Sequence, residues 1–528
     1  MLGEFSIYHQ IKQIFSNTLQ KYCDFIIALF GGIATSLAVE PVSCFLFAWM
    51  SLAILWFLIL KNCKYQSVGK IILLASFWGY AYHGLSLSWI LNFHPLTWMG
   101  IPWIPSLVFA IAFWLITSSL GAIFVTIWAS GLRFVIKHKY HVSTQILAGS
   151  ALWVGLEWLF RQSPFWWTSL SLTQSPHNLW FLQLNQISGA ETSVAIIVAV
   201  NGLLANAFWF SYQKSNLNFR NQLNRVAIYI VMVTHSLGAS IYFFPNLKTE
   251  SIYIGIIQGD IPLEIKFEKA GLDLAFNRYF EGYKVLRNKK VDAVLTPEIA
   301  MPKLGFSLDL VNTSFGQLIQ QSKIPFWIGT RTGERQHPQQ SLIALEETGV
   351  TSQYNKQKLV LFGEYIPFAK TRLEPLIKKL FPFKVNHLAG AKEQKFNTPF
   401  GKAAVVICYE SAFPEIVLNQ VKMGGKFIIV ATADGLFGEF MMQQHHAQDV
   451  LRAIETRRWL VRANSRNYSG VIDSKGNTMW ISQPGYITKK AKIYLSDRQT
   501  LYTRWGNWLT PALIFLSLYK LRKRLKHT

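Results

Sequence analysis

The residues best suited to chemistry stand at the ends of three β-type runs. AAVVICYES (403–411) puts a thiol, Cys408, where an apolar run stops, followed at once by Tyr409 and Glu410. VDAVLTPEIAMP (291–302) ends a second run at Glu298. YNKQKLVLFGEYIP (354–367) carries Lys356 and Glu364 eight residues apart. A thiol becomes a nucleophile when a cation favours the thiolate and a base takes its proton. A carboxylate, an ammonium and a thiol at strand ends therefore form a candidate nucleophilic set. Each alone reads equally well as a solvated strand end, an exposed turn lysine or an inert buried thiol. Glu157, within an apolar stretch, reads as a structural partner of Arg161 at an interface. His445 and His446 resemble neither a metal site nor a base, and surface or helix packing is expected for both.

Two kinds of sequence must position these residues. From about 24 to 245 the chain is a series of apolar stretches, with spans expected near 24–39, 42–60, 71–92, 104–130, 145–160, 192–211 and 226–244. Most approach the roughly 20 residues that cross a hydrocarbon core. From about 248 to 503, short β-type runs such as SIYIGIIQ and KFIIVATAD alternate with charged helical segments, which predicts an α/β domain. A last apolar stretch, 508–520, follows Trp505 and precedes the basic tail LRKRLKHT. The expected division is 1–247, a transmembrane domain of about seven helices; 248–503, the α/β domain; and 504–528, a terminal helix with a basic tail. Half the residues are hydrophobic (51%) while the formal net charge is +24. Apolar spans joined by basic loops produce both at once, so no nucleic-acid partner is needed to explain the charge.

Lysine and arginine gather in alternate loops: Lys12 and Lys21; Lys61, Lys64 and Lys70; Arg133, Lys137 and Lys139; Lys214, Arg220 and Arg225; and the tail. VEPV (39–42) and NFHPLTWMGIPWIP (92–105) have none. Positive loops face the cytoplasm, which places 248–503 outside. Cys23, Cys44 and Cys63 lie in or before the spans, leaving Cys408 without an internal disulfide partner in a compartment where thiols are usually paired. Residues 366–386 mix Phe368, Leu373, Leu380 and Phe383 with Lys370, Arg372, Lys378 and Lys379, and read either as an interfacial amphipathic segment or as a helix with a solvated basic face.

The three strand-end stretches resemble the Glu, Lys and Cys signatures of the carbon–nitrogen hydrolase (nitrilase) superfamily. With the spans around them, nearly the whole chain resembles the apolipoprotein N-acyltransferase family of the bacterial inner membrane. LWVGLEW (152–158), PFWW (164–167), Gly189, Ser193 and Asn201, IIQGDIP (256–262), RAIETRRWLVRAN (452–464) and VIDSKGN (471–477) carry the resemblance further. It implies a multi-pass helical membrane domain joined to an exported nitrilase-like αββα sandwich in the periplasm. It also implies Glu298 as general base, Lys356 as transition-state stabiliser and Cys408 as nucleophile, with Glu364, Tyr409 and Glu410 in support. The implied substrates are a phospholipid acyl donor and the N-terminal diacylglyceryl-cysteine of an apolipoprotein, joined through a ping-pong thioester route. No metal or other cofactor is implied.

The chain departs from that family's usual motif at Phe267 and Leu436, where Trp is common, at Leu361, where Pro is usual, and at Ala433, where Asn is typical. Phe267 and Leu436 are expected along the substrate path. Lys358 falls where the motif usually has His and is not the expected catalytic lysine. The alternative reading is a membrane-tethered nitrilase-superfamily paralogue acting on a different amine or amide; a non-catalytic lipid-binding or transport protein fits poorly with retention of Glu298, Lys356 and Cys408 together.

Overall fold

The computed structural model describes residues 22–63, 67–245, 250–306, 313–361, 363–365 and 386–525. Among the described residues, seven helices of twelve residues or more occupy its first half: α1 (Tyr22–Leu37), α2 (Ser51–Asn62), α3 (Val68–Ser86), α4 (Trp103–Lys137), α5 (Val142–Phe160), α6 (Glu191–Tyr212) and α7 (Leu217–Phe243). Among the described residues, Phe45–Asn62, Trp103–Lys137, Glu191–Tyr212 and Leu217–Phe243 are long and apolar enough to cross a membrane. Side chains that face outward on these helices are large and apolar, including Ile104, Ile116, Ile228 and Met232, as expected where lipid replaces water.

Inside the bundle, aromatic rings interlock. Trp128 meets Trp153 at 5.1 Å and Trp56 at 5.5 Å, and Phe124 meets Trp153 at 5.0 Å, in edge-on geometries that ring quadrupoles favour. Room for Trp56 comes from Gly149 and Gly202, where an added Cβ would lie 2.4 and 2.7 Å from its ring. Asn201, one of the family-like positions, ties α6 to the start of α2. Its Oδ1 accepts from the Ala53 N–H at 2.8 Å and its Nδ2 donates to the Ala48 carbonyl at 2.9 Å.

The second half is a sandwich. β1 (Ser251–Gln258), β2 (Ala293–Leu295), β3 (Phe326–Glu334), β4 (His337–Glu346), β5 (Gly349–Asn355) and β12 (Ile487–Tyr494) form one six-stranded sheet, ordered β12-β1-β2-β3-β4-β5. β6 (Phe396–Thr398), β7 (Gly401–Ile407), β8 (Gly425–Thr432), β9 (Leu460–Asn464), β10 (Gly470–Ile472) and β11 (Thr478–Ile481) form the other, ordered β11-β10-β9-β8-β7-β6. Strand alternation explains the layers. Ile252, Ile254 and Ile256 of β1 meet Ala403, Val405 and Ile407 of β7 between the sheets, while Ala404 and Val406 face the other way. α8 (Lys269–Asn288) and α9 (Ser314–Ser322) cover one outer face, and α10 (Pro414–Lys422) and α11 (Gly438–Thr456) the other. The result is an αββα sandwich. A final helix, α12 (Leu509–Leu525), returns to pack on α5.

The two halves share a core. Val417, Val450, Ile454 and Ile428 belong to the same buried cluster as the helix residues Trp56, Trp128 and Val198. One expected span is cut short: α3 stops at Ser86 rather than continuing to 92, and Ser88–Phe93 form a 3-10 turn. That turn places Trp89 against Phe437 of the sandwich, at 5.9 Å between ring centroids, which the continued helix would carry away. Arg161 also differs from expectation. It pairs with buried Glu191, while Glu157 accepts from Trp153 Nε1 at 2.9 Å, the Ser169 hydroxyl at 2.7 Å and the Leu170 N–H at 3.1 Å. A carboxylate with three donors is satisfied without a cation.

Candidate active site

Three strand ends converge. β2 runs out through Thr296 and Pro297 to Glu298, and the bend lies directly on β3. Gly329 makes this approach possible, since a Cβ there would stand 1.9 Å from the Pro297 carbonyl oxygen. Lys356 follows β5, its N–H donating to the Gln340 carbonyl at 2.8 Å. Cys408 follows β7 and opens a 3-10 turn, Cys408–Ala412.

Lys356 is fully buried between two carboxylates, with Nζ 2.9 Å from Glu298 Oε1 and 2.6 Å from Glu364 Oε1. Burial works against the ammonium, but Glu298 and Glu364 outweigh it and hold its pKa well above the ordinary lysine value. Burial likewise pushes the Glu364 carboxyl up, and Lys356 pulls it back only in part. Glu364 Oε2 also accepts from the Val360 N–H at 2.8 Å, which closes the Lys356 loop on itself.

Glu410 joins that loop to the cysteine turn. Oε1 accepts from the N–H groups of Gln357 at 2.6 Å and Lys358 at 3.0 Å; Oε2 accepts from the Ile407 N–H at 2.9 Å and the Tyr354 hydroxyl at 3.0 Å. Burial drives its carboxyl up, the backbone donors draw it back, and the balance lies at about 7. Tyr409 donates its hydroxyl to the Leu359 carbonyl at 3.0 Å, its ring 5.9 Å from Lys356 Nζ. Lys358 instead stands over the Phe413 ring at 4.7 Å.

Cys408 has φ +56°, in the left-handed region. A side chain there costs roughly 1–2 kcal/mol, so neighbouring hydrogen bonds must hold the turn. The thiol itself is buried. Burial raises its pKa well above the ordinary value, and the negative charge of Glu298 adds to the effect while Lys356 opposes it. The resting group is a thiol rather than a thiolate.

Two groups that sequence reasoning passed over complete the surroundings. Asp434 follows β8, its Oδ1 3.8 Å from Cys408 Sγ. His445 of α11 is fully buried, with Nδ1 2.9 Å from Asp434 Oδ2 and Nε2 3.0 Å from the Cys408 carbonyl oxygen. The expectation of a surface or simple packing role for His445 is thus corrected: α11 faces inward with a polar seam. Gln444, His445, Gln448, Asp449 and Arg452 recur at helical spacing and are all buried. That spacing was readable, but polar residues on one helical face ordinarily signal solvent. His446, by contrast, is held by the Thr478 hydroxyl at 2.8 Å, away from the thiol.

The expected substrate-path residues separate. Phe267 is 45% exposed beneath the Arg331 guanidinium, 4.9 Å from its ring. Leu436 ends the short turn after β8. The cavity that reaches Cys408, of about 90 Å³, is lined instead by Leu361, Phe437, Tyr409 and Met441 from the sandwich, and by Trp89, Phe113 and Trp166 among others from the helices. A second cavity of about 270 Å³ shares Leu87, Thr117, Phe165, Trp166 and Trp167 with the first and continues it between α3, α4 and α5. Residues 366–385, with the basic amphipathic stretch, lie outside the described residues.

Residues 31–203 match the family model of the apolipoprotein N-acyltransferase N-terminal domain, and residues 312–494 that of carbon-nitrogen hydrolase. The apolipoprotein N-acyltransferase of Nostoc sp. is 40% identical over 486 residues, 91% of this chain and 95% of that protein. The chain belongs to the apolipoprotein N-acyltransferase family. Family members from Synechocystis sp. (36% identical, covering 91% of this chain and 97% of theirs) and Thermosynechococcus vestitus (35%, covering 97% and 98%) align over a similar extent. Membership and the apolar helices together make it an integral membrane acyltransferase. Of the clustered residues, Lys356, Glu364, Cys408, Tyr409 and Glu410 fall within the carbon-nitrogen hydrolase match, and Glu298 precedes it.

Proposed function

We propose that this protein moves an acyl chain from a membrane phospholipid, through a thioester on Cys408, to the α-amino group of an apolipoprotein's N-terminal diacylglyceryl-cysteine. One observation carries the reading: Cys408 stands where the buried Glu298–Lys356–Glu364 cluster meets an apolar cavity walled by the membrane helices. An ester with its chain in that cavity presents its carbonyl to the thiol.

The thiol's raised pKa requires deprotonation during attack, and Glu298 is the base. Sγ adds to the ester carbonyl as its proton passes to Glu298. The oxyanion is held by Lys356 Nζ and the Tyr409 N–H, each donor contributing roughly 3–4 kcal/mol in comparable sites. Collapse breaks the C–O bond, Glu298 returns the proton to the departing alkoxide, and lysophospholipid leaves. The amine then adds to the thioester, Glu298 takes its proton, and the C–S bond breaks as the thiol is re-formed. Two substrates meeting one thiol in turn give ping-pong kinetics. Glu364 and Glu410 hold Lys356 and the two loops in register.

The arrangement further supports a division into 1–247, 248–503 and 504–528, with basic loops on the cytoplasmic side of the bacterial inner membrane and the sandwich in the periplasm. The test is incubation with radiolabelled phospholipid, followed by a search for hydroxylamine-labile label on Cys408 and its transfer to a diacylglyceryl-cysteine peptide. Absence of label on the wild type, or equal label on Cys408→Ala, overturns the thioester route. Label that does not pass to the peptide points to a different amine acceptor.

A further inference from the structure

The peptide group joining Cys408 to Tyr409 is rigid and trans, so its carbonyl and its N–H point in opposite directions. His445 Nε2 fixes the carbonyl end at 3.0 Å. The Tyr409 N–H is thereby directed away from α11, and among the described residues it has no acceptor outside its own helical turn. An N–H on the residue after a nucleophile is well placed for the oxyanion formed on attack.

Nε2 faces the Cys408 carbonyl oxygen, which can only accept, so Nε2 is the donor there, while Nδ1 faces Asp434 Oδ2 on the other side of the ring. A donor bound to the carbonyl oxygen polarises the peptide and strengthens its N–H as a donor. Asp434 is itself anchored by Asn464, which accepts the Asp434 N–H at 3.1 Å.

We propose that His445 and Asp434 are a positioning dyad: through the Cys408 carbonyl, the dyad aims and polarises the Tyr409 N–H that receives the oxyanion, without touching substrate. This rests on the thioester reading of Cys408, and the test separates the two. Full-length wild type, His445→Ala, His445→Gln and Asp434→Asn are compared in detergent micelles in two reactions at Cys408. One is acylation, by phospholipid and by a short p-nitrophenyl ester. The other is alkylation by iodoacetamide, a direct displacement at carbon that forms no oxyanion.

Loss of one such donor lowers acylation about 10²–10³-fold in kcat. That is the expected effect of His445→Ala, with KM unchanged and alkylation within threefold of wild type. His445→Gln, which keeps one N–H donor, should recover part of the loss, and Asp434→Asn should fall between. A parallel loss of alkylation in His445→Gln and Asp434→Asn overturns the proposal, because the dyad then only seats the thiol. Unchanged acylation overturns it too. If wild type accepts the p-nitrophenyl ester but not phospholipid, the donor assignment fails while the dyad is still tested by the ester.

Discussion

The helical half and the sandwich bury polar groups by opposite rules. In the helical half buried charges are satisfied in separate places: Asp24 by Lys61 and Lys70 at 2.7 and 2.9 Å, Arg161 by Glu191, and Glu157 by three neutral donors. In the sandwich, ionisable groups from five separate segments gather around a single thiol: Glu298, Lys356, Glu364, Glu410, Asp434 and His445. Dispersed pairs stabilise a bundle against lipid without creating reactivity. A convergent cluster leaves each group's protonation dependent on its neighbours, which is what proton transfer needs. The helical half should thus govern which chain is bound, and the sandwich whether reaction occurs.

Cys408→Ala breaks the contrast most severely. Acylation should fall by about 10⁶-fold, as in comparable nucleophile knockouts, with no loss of membrane insertion, read by label incorporation and size-exclusion profile. Glu298→Gln should cost about 10²–10⁴-fold in turnover and leave phospholipid KM intact. Glu410→Gln tests the clamp. Its amide nitrogen would face donors that now meet an oxygen, each mismatch costing about 1–3 kcal/mol, so thermal unfolding in detergent should shift downward and turnover should fall with it.

Acid should reach the same clamp without mutation. Glu410 is balanced at about 7, above the ordinary carboxyl range, so the folded clamp holds its proton more tightly than the unfolded chain does. Stability should therefore rise as the pH falls through 7 toward the ordinary carboxyl range, read as an upward shift of thermal unfolding in detergent.

In the helical half, Thr117 lines both cavities. Thr117→Phe should close the passage between them, leaving short-chain donors nearly unaffected and slowing long-chain donors roughly tenfold, a loss of about 1.4 kcal/mol, read by mass spectrometry of the acylated Cys408 peptide. The smallest effect belongs to Asp24→Asn. Its lysine partners are partly exposed and remain hydrated, so stability should fall by only about 1 kcal/mol, with turnover unchanged.

What the chain revealed in advance follows the same divide. Glu298 and Cys408 stood out because each ends a short apolar run, and Lys356 because it lies eight residues before Glu364 in a third such strand-end stretch; strand ends are where a sandwich gathers its reactive groups. Apolar stretches of span length marked the helices for a similarly local reason. Pairing across distance was not readable. Arg161 is four residues from Glu157 but pairs with Glu191, because the turns after α5 bring the start of α6 beneath it. Asp434 and His445 were hidden for another reason: α11 carries its polar face inward, against the strand ends and helix termini that need donors. Phe437, not its neighbour Leu436, lines the cavity, since a one-residue step along a turn reverses which side chain faces inward.

Gln444 of α11 has a consequence beyond the contacts that hold it. Its amide donates to the carbonyls of Glu40 and Ser86 at 3.1 and 3.0 Å and accepts from Trp167 Nε1 at 2.7 Å, seating the helix next to the thiol directly on the bundle. The Cys408 sulfur is thereby held at a fixed distance from the apolar helices. On the proposed function, a free amine would have to find the thiol by wandering through three dimensions, whereas an amine tethered to lipid would search only two and would meet it at the high effective concentration that confinement gives.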